Sequence, residues 1–112
     1  MPELSIEAQQ KVLELKKAYI DSFPNKITQL NTYWKNLEAN HFSEDELAEL
    51  RKVCHKIAGS SASYELMDIS LAAKELELTC SSNHLDQERL SNRKSSLESH
   101  FQILVNLLES RA

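Results

Sequence analysis

Apolar residues recur along this chain at spacings of three and four, which is the period of helices that bury one face. The clearest case lies between residues 47 and 64. At about 100° per residue, six side chains of this segment fall on one stripe: Leu47, Leu50, Cys54, Ile57, Ser61 and Tyr64. Because no segment shows the alternation typical of strands, the pattern predicts an all-α protein.

Two helices are predicted before this segment. Ser5 is a candidate N-cap for the first helix, and Pro24 suits the first turn of the second, which runs to about Asn40. The inward positions predicted for these two helices are Val12, Leu15, Tyr19 and Ile20, followed by Ile27, Leu30, Trp34 and Leu37.

Three further helices follow the turn at residues 40–42. Ser43 and Glu46 have the spacing of a capping box, which starts a third helix that reaches about Tyr64. Asp68 is a candidate N-cap for the fourth helix, residues 81–84 break it, and Asp86 can start a fifth helix toward Ser110. The predicted inward positions are Leu71, Ala72, Leu76 and Thr79, and then Leu90, Leu97, Phe101, Leu104 and Leu108.

Short connections between long amphipathic helices favour antiparallel neighbours. We therefore expect an antiparallel up-and-down four-helix bundle, formed by helices two to five, with an additional short N-terminal helix packed on it. Residues 1–112 form one domain in this interpretation, since we find no internal repeat and no low-complexity linker. If the apolar faces are used internally, the protein is a monomer.

Composition limits the function further. The net charge is −4 and the isoelectric point is near 5.5, which argues against a nucleic-acid partner. No apolar run approaches the length of a membrane span, and the first residues do not resemble a signal peptide, so we expect a cytoplasmic protein without membrane contact. Cys54 and Cys80 are too few for a disulfide framework, and we expect both to be reduced thiols.

The most unusual segment is residues 55–62, where a histidine is followed by small residues inside a predicted helix. It contains Gly59, the single glycine of the chain. Glycine in a helix interior costs about 0.5 to 1 kcal/mol relative to alanine, so this glycine is expected to provide access. The helical neighbours of His55 are mostly small, with two cations among them: Ala48, Arg51, Lys52, Ala58, Gly59 and Ala62.

These residues carry a resemblance to histidine-containing phosphotransfer domains. His55, Gly59, Ser60 and Ser61 stand in the register of that family's signature. Two positions depart from it: Ala58 stands where many members have a lysine, and Glu65 replaces a second glycine. A looser similarity extends from about Val12 to Leu78 and includes Trp34.

The resemblance implies that His55 accepts a phosphoryl group from a receiver-domain aspartyl phosphate and passes it to another receiver. Arg51 and Lys52 would supply a positive field in place of the missing lysine, with Lys74 as a weaker candidate, and Ala58, Gly59 and Ala62 would form the docking surface. The implied partners are response-regulator receiver domains or a hybrid histidine kinase. No cofactor or metal is expected in this chain, because the Mg²⁺ of the reaction would lie in the receiver.

Other functions remain open. With one glycine the chain has no glycine-rich nucleotide loop, so we expect no ATP-dependent kinase activity of its own. A phosphotransfer-like module could instead bind and regulate a receiver or kinase without accepting phosphate. A helical metal protein is a third hypothesis, since Glu38 and His41 have the spacing of a di-iron helix, although such a site needs a second pair. Ser60 and Ser61 could contact phosphate or serve only in packing.

Overall fold

The protein is described by a computed structural model over residues 5–81 and 87–112, with side chains described throughout except at residues 87–93. This part of the chain is almost entirely helical, which confirms the all-α prediction. Its five helices are α1 (Ile6–Asp21), α2 (Phe23–Ala39), α3 (Glu44–Ser63), α4 (Met67–Cys80) and α5 (Gln87–Arg111). The predicted break at residues 82–84 and the predicted helix start at Asp86 lie outside the described residues.

Side-chain caps mark the starts of α1 and α3, and a proline marks the start of α2. The Oγ atom of Ser5 accepts a hydrogen bond from the amide of Ala8 at 3.1 Å, and Ser43 accepts from the amide of Glu46 at 3.3 Å. Pro24 lies in the first turn of α2, where its missing N–H is not needed. The predicted starts of these helices are confirmed.

The prediction that Asp68 caps α4 is wrong. The helix begins at Met67, two residues before the start that an Asp68 cap would give, and its N-cap is the buried Leu66. Asp68 lies in the first turn, where its carboxylate accepts from the amide of Ile69 and pairs with the guanidinium of Arg111 at the end of α5. An acidic residue is favourable there because the N-terminus of a helix carries partial positive charge.

Helices α2 to α5 form the predicted bundle. Helix α3 packs along α4, α4 packs against α5, and α5 returns to α2, which also contacts α3. The predicted stripe of α3 faces the core, with five of its residues buried and Tyr64 partly buried. Trp34 stacks on Phe101 with ring centroids 4.6 Å apart, so it packs against the core as expected.

One inward prediction for α4 is wrong. Leu71 was expected to face the core, but its side chain is exposed, whereas Ala73 and Cys80 are buried beside Ala72 and Leu76. Leu71 lies about 140° from Leu76 around the helix axis, so one face cannot bury both.

Helix α1 differs from the short, packed helix that we expected. It has 16 residues and none of them is buried. Its contact with the bundle is made by its last turns, where Tyr19 and Ile20 pack on the core. Val12 and Leu15, which were predicted to face inward, are exposed together with Ile6 and Leu13. The argument that all apolar faces are used internally therefore fails for α1, and the monomeric state stays a prediction.

Tyr19 attaches α1 to the end of α3. Its hydroxyl forms a 3.0 Å hydrogen bond with the Oγ atom of Ser61, which is fully buried. The ring also packs edge-on against Phe23, lies 5.0 Å from the Tyr64 ring and has the Lys26 ammonium 4.9 Å from its centroid. Partial burial lowers the pKa of Lys26. Ser61 therefore serves packing and hydrogen bonding inside the fold.

Both cysteines are buried free thiols, as predicted. Burial raises the pKa of the Cys54 thiol, and Cys80 and Glu77 add to the effect. Because the thiolate is the reactive form, burial and the raised pKa both disfavour reactions of Cys54 in the folded protein. Over the described residues, no helix has the length and apolarity needed to cross a bilayer.

The turn after α3 contains Glu65 in a backbone conformation that residues other than glycine adopt at a cost. Glu65 has a φ of 62°, the left-handed conformation that favours glycine. Two hydrogen bonds define a Schellman motif, from the amide of Leu66 to the Ser61 carbonyl at 2.8 Å and from the amide of Glu65 to the Ala62 carbonyl at 3.0 Å. The buried Leu66 side chain holds the turn in place.

We predict that Glu65→Gly stabilises the protein. A non-glycine residue in the left-handed region costs about 1 to 2 kcal/mol, and the greater unfolded-state freedom of glycine offsets part of this, so a gain of about 1 kcal/mol is expected. Urea unfolding at neutral pH measures it. Ala62→Gly, three residues earlier in regular helix, is the matched control and should destabilise by about 0.5 to 1 kcal/mol. A Glu65→Gly protein no more stable than wild type would contradict this interpretation of the turn.

Candidate functional site

His55 lies within α3 and faces away from the core. Its side chain is 78% exposed, whereas Cys54 beside it in sequence is buried. The helix places the imidazole on the solvent side of the boundary between α3 and α4. A partner can therefore reach the ring without disturbing any core residue.

The ring is held by a carboxylate from the neighbouring helix. The Nδ1 atom of His55 lies 2.9 Å from the Oε1 atom of Glu77, whose own side chain is only 22% exposed. A carboxylate accepts hydrogen bonds, so the proton of this contact belongs on Nδ1. A neutral ring then has its lone pair on Nε2, the atom on the opposite side from Glu77.

Glu77 is the residue that the sequence interpretation missed. The helical pattern of α3 does not show which residue of α4 lies opposite His55. The signal is in the antiparallel pairing of the two helices: Ser70 donates to the carbonyl of Ala58 at 2.8 Å, and Glu77, two turns later on the same side of α4, reaches His55. Once one such pair is known, the other follows from the helix repeat.

Cations surround the histidine on the α3 side. Arg51, Lys52 and Lys56 line an open groove together with His55 and Glu77. Lys52 also pairs with Glu49 at 3.3 Å on the exposed surface. Lys56 is not among the helical neighbours of His55 that the sequence pattern gives, but it also lines the groove. Lys74 is exposed on α4 and is not among the described residues that line the groove.

The small residues after His55 occupy two different environments. Ala58 is half-buried, packs against the core and offers its carbonyl to Ser70, so it belongs mainly to the contact between α3 and α4. Gly59 and Ala62 are exposed. A Cβ atom added at Gly59 would meet none of the described atoms within 4 Å. Gly59 is therefore not required for helix packing, and it leaves a low surface beside His55.

Comparison with known families agrees with this geometry. The sequence model described as "Hpt domain" matches residues 14–110, which is nearly the whole chain. The chain belongs to this family, the histidine-containing phosphotransfer domains, whose members carry phosphoryl groups in two-component systems with receiver domains and histidine kinases. No curated protein and no solved structure matches the chain.

Glu38 and His41, the two candidate ligands of a di-iron site, do not lie near other possible metal ligands among the described residues. Glu38 lies on the exposed side of α2, and His41 follows in the turn with a φ of 54°. Among the side chains that the structure describes, at residues 5–81 and 94–112, no three histidine, cysteine or acidic residues form a group that could hold a metal ion. Nothing in the described structure therefore favours a di-iron site.

We predict that Glu77 fixes the tautomer of His55. In the wild-type protein the neutral ring should carry its proton on Nδ1, because the carboxylate accepts from that atom. Nitrogen-15 NMR of the imidazole reports the tautomer directly. Glu77→Ala should raise the share of the Nε2–H form, whereas Glu75→Ala, which removes an exposed glutamate two positions away on α4, should leave it unchanged. An unchanged tautomer in Glu77→Ala would show that the contact does not orient the ring.

Proposed function

We propose that this protein is a phosphorelay intermediate: His55 takes a phosphoryl group from the aspartyl phosphate of one receiver domain and passes it to the aspartate of another. The observation that carries the proposal is the pairing of an exposed imidazole with a carboxylate on its Nδ1 side, in a chain of the phosphotransfer family. This arrangement leaves Nε2 as the atom that faces an approaching partner.

The transfer is a displacement at phosphorus. The lone pair of Nε2 attacks the phosphorus atom, a bond forms between Nε2 and phosphorus, and the bond between phosphorus and the aspartate oxygen breaks with its electron pair left on the aspartate. The proton stays on Nδ1, so the phosphorylated ring carries positive charge. Glu77 stabilises that charge through the same hydrogen bond that orients the neutral ring.

The reverse chemistry discharges the histidine. An unphosphorylated receiver aspartate attacks the phosphorus atom, and the bond from Nε2 breaks with its electron pair returned to the ring. The Mg²⁺ of such a transfer would be held by the receiver, and this chain would contribute the positioned nucleophile. A docked receiver excludes water from the reacting atoms and holds them in line. Most of the rate enhancement arises from this positioning.

The cations around His55 supply a field for the transferring group. The phosphoryl oxygens are negatively charged throughout the reaction, and Arg51, Lys52 and Lys56 line the groove that holds the imidazole. They take the role of the lysine that many family members have at the position of Ala58. Their exposed side chains can move toward the phosphoryl group when a receiver covers the groove.

We predict that phosphorylation occurs on His55. Receiver domains charged with acetyl phosphate and Mg²⁺ are incubated with the chain, and intact mass measures the transfer. The modification should be acid-labile and base-stable, as expected for a phosphorus–nitrogen bond, whereas a phosphoserine at Ser60 would survive acid. His55→Gln should abolish transfer and change stability by no more than ~0.5 kcal/mol, because the ring is exposed.

A matched control and two alternative outcomes make this test decisive. His41→Asn removes another exposed histidine, in a turn whose positive φ asparagine tolerates, and should transfer at the wild-type rate. An acid-labile, base-stable phosphoryl group on the His55→Gln variant would contradict the proposal. If every charged receiver binds the wild-type chain without transferring phosphate, the protein is a binding module that regulates its partner.

We predict that Gly59 maintains access to His55. Gly59→Lys should lower the rate of transfer from a charged receiver by about 10-fold or more, because a long side chain would stand at the centre of the covered surface. Its free energy of unfolding should rise by up to ~1 kcal/mol, since the position has room and glycine is the costlier helix residue. Stopped-flow transfer and urea unfolding measure the two effects.

Gly59→Ala is the matched control for this variant. It provides a similar gain in helix stability but adds only one methyl group, so transfer should stay close to the wild-type rate. A stable Gly59→Lys protein that transfers at the wild-type rate would contradict the predicted access surface at Gly59 and Ala62.

A further inference from the structure

A second groove lies between α2 and α3, apart from the groove that contains His55. Its volume is about 740 Å³, which is within the usual size range of sites for small molecules. On the α2 side it is lined by Lys26, Gln29, Tyr33 and Asn36, which are three or four residues apart and therefore share one face of the helix. At 1.5 Å rise per residue, the groove extends about 15 Å along α2.

The floor of this groove is apolar and its edge is polar. The side chain of Ile57 is buried, and Val53 and the ring of Tyr33 pack against the core. The side-chain amides of Gln29 and Asn36 are exposed, and neither forms a hydrogen bond within the part of the chain that the structure describes. An apolar floor with a few unpaired polar groups is typical of a site for an organic molecule.

The cations of the groove lie toward one of its ends. Tyr19, just before α2, bonds to Ser61 near the end of α3, so the start of α2 lies beside the end of α3. Lys26 and Ser60 therefore lie at the same end of the groove, and Lys56 follows about one turn along α3. No acidic side chain is among the described residues that line the groove. Its charge is positive, although the chain has a net charge of −4.

Lys26 has lost solvation without gaining an opposite charge. Its ammonium lies 4.9 Å from the centroid of the Tyr19 ring, and no carboxylate of the described residues pairs with it or with Lys56. Burial lowers the pKa of Lys26, because the charged form is the one that desolvation disfavours. An anion bound beside this ammonium would offset that cost.

We propose that the groove between α2 and α3 binds a small organic phosphate, namely a phosphate monoester on a body about the size of a nucleoside. The phosphate lies between Lys26 and Lys56, where the hydroxyl of Ser60 can donate to it. The body extends over the apolar floor toward the amides of Gln29 and Asn36. A phosphate monoester is close to a dianion at neutral pH, so it matches two lysines better than a single carboxylate does. This inference does not depend on phosphotransfer at the histidine.

The His55 groove is the alternative site for an anion. Lys56 lines both grooves, whereas Lys52 lines only the His55 groove and Lys26 only the groove between α2 and α3. The carboxylate of Glu77 also lies in the His55 groove and disfavours a second negative charge there. Substitution of Lys26 or of Lys52 therefore tells the two sites apart.

Calorimetric titration of the wild-type chain tests the proposal, at low ionic strength where exposed charges are least screened. The probes are adenosine 5′-monophosphate and ribose 5-phosphate. At least one of them should bind with a dissociation constant below about 1 mM. Adenosine, which lacks the phosphate, and inorganic phosphate, which lacks the body, should each bind about 10-fold more weakly or worse.

Two variants locate the bound phosphate. Lys26→Gln should weaken binding of the better probe by about 10-fold, because a hydrogen bond to a charged group is lost. Lys52→Gln removes an exposed cation of the other groove and is the matched control, which should stay within about twofold of wild type. Circular dichroism confirms that both variants are folded.

Amide NMR of the wild-type chain gives a second readout that needs no variant. The better probe should shift the signals of Gln29, Tyr33 and Ser60 and leave those of α4 unchanged. The proposal is wrong if neither phosphate probe binds below about 1 mM, or if adenosine or inorganic phosphate binds as tightly as the better probe. It is also wrong if Lys52→Gln causes the loss instead, or if the NMR shifts lie around His55 and on α4.

Discussion

The contact between α3 and α4 is the constraint on which the rest of the structure depends. Two side-chain contacts join these antiparallel helices on the outer side of their interface, from Ser70 to the carbonyl of Ala58 and from His55 to Glu77. The buried residues of the two helices hold them at that separation. A shift of α4 by one residue would move its side chains by about 100° around the axis and take Glu77 away from the imidazole. The core thus positions the imidazole of His55 through a neighbouring helix.

This dependence explains how the bundle can present an exposed imidazole in a defined orientation. An exposed side chain normally samples several rotamers. His55 stays exposed on its Nε2 side while its Nδ1 side is tied to a glutamate that is itself mostly buried. The ring therefore combines access for a large partner with a defined hydrogen-bond partner on its Nδ1 side.

The sequence predicted the fold better than it predicted the surroundings of the histidine. Periodicity defines the buried stripe of α3, and capping residues define the starts of α1 and α3, because both signals are local. Glu77 could not be found in this way, since the register between two helices depends on packing across the whole core. The exposed position of Leu71 is a different kind of error, since its separation of about 140° from Leu76 around the helix axis follows from the sequence alone.

The errors at α1 and α4 have different physical origins. On α1, Val12 lies within about 20° of Tyr19 around the helix axis, yet Val12 is exposed and Tyr19 packs on the core, because α1 meets the bundle through its last turns. On α4, Leu71 lies about 140° from the buried Leu76, outside the arc that faces the core. Helical spacing therefore predicts which arc of a helix can be buried, whereas the length over which a neighbouring helix covers that arc depends on how the whole bundle packs.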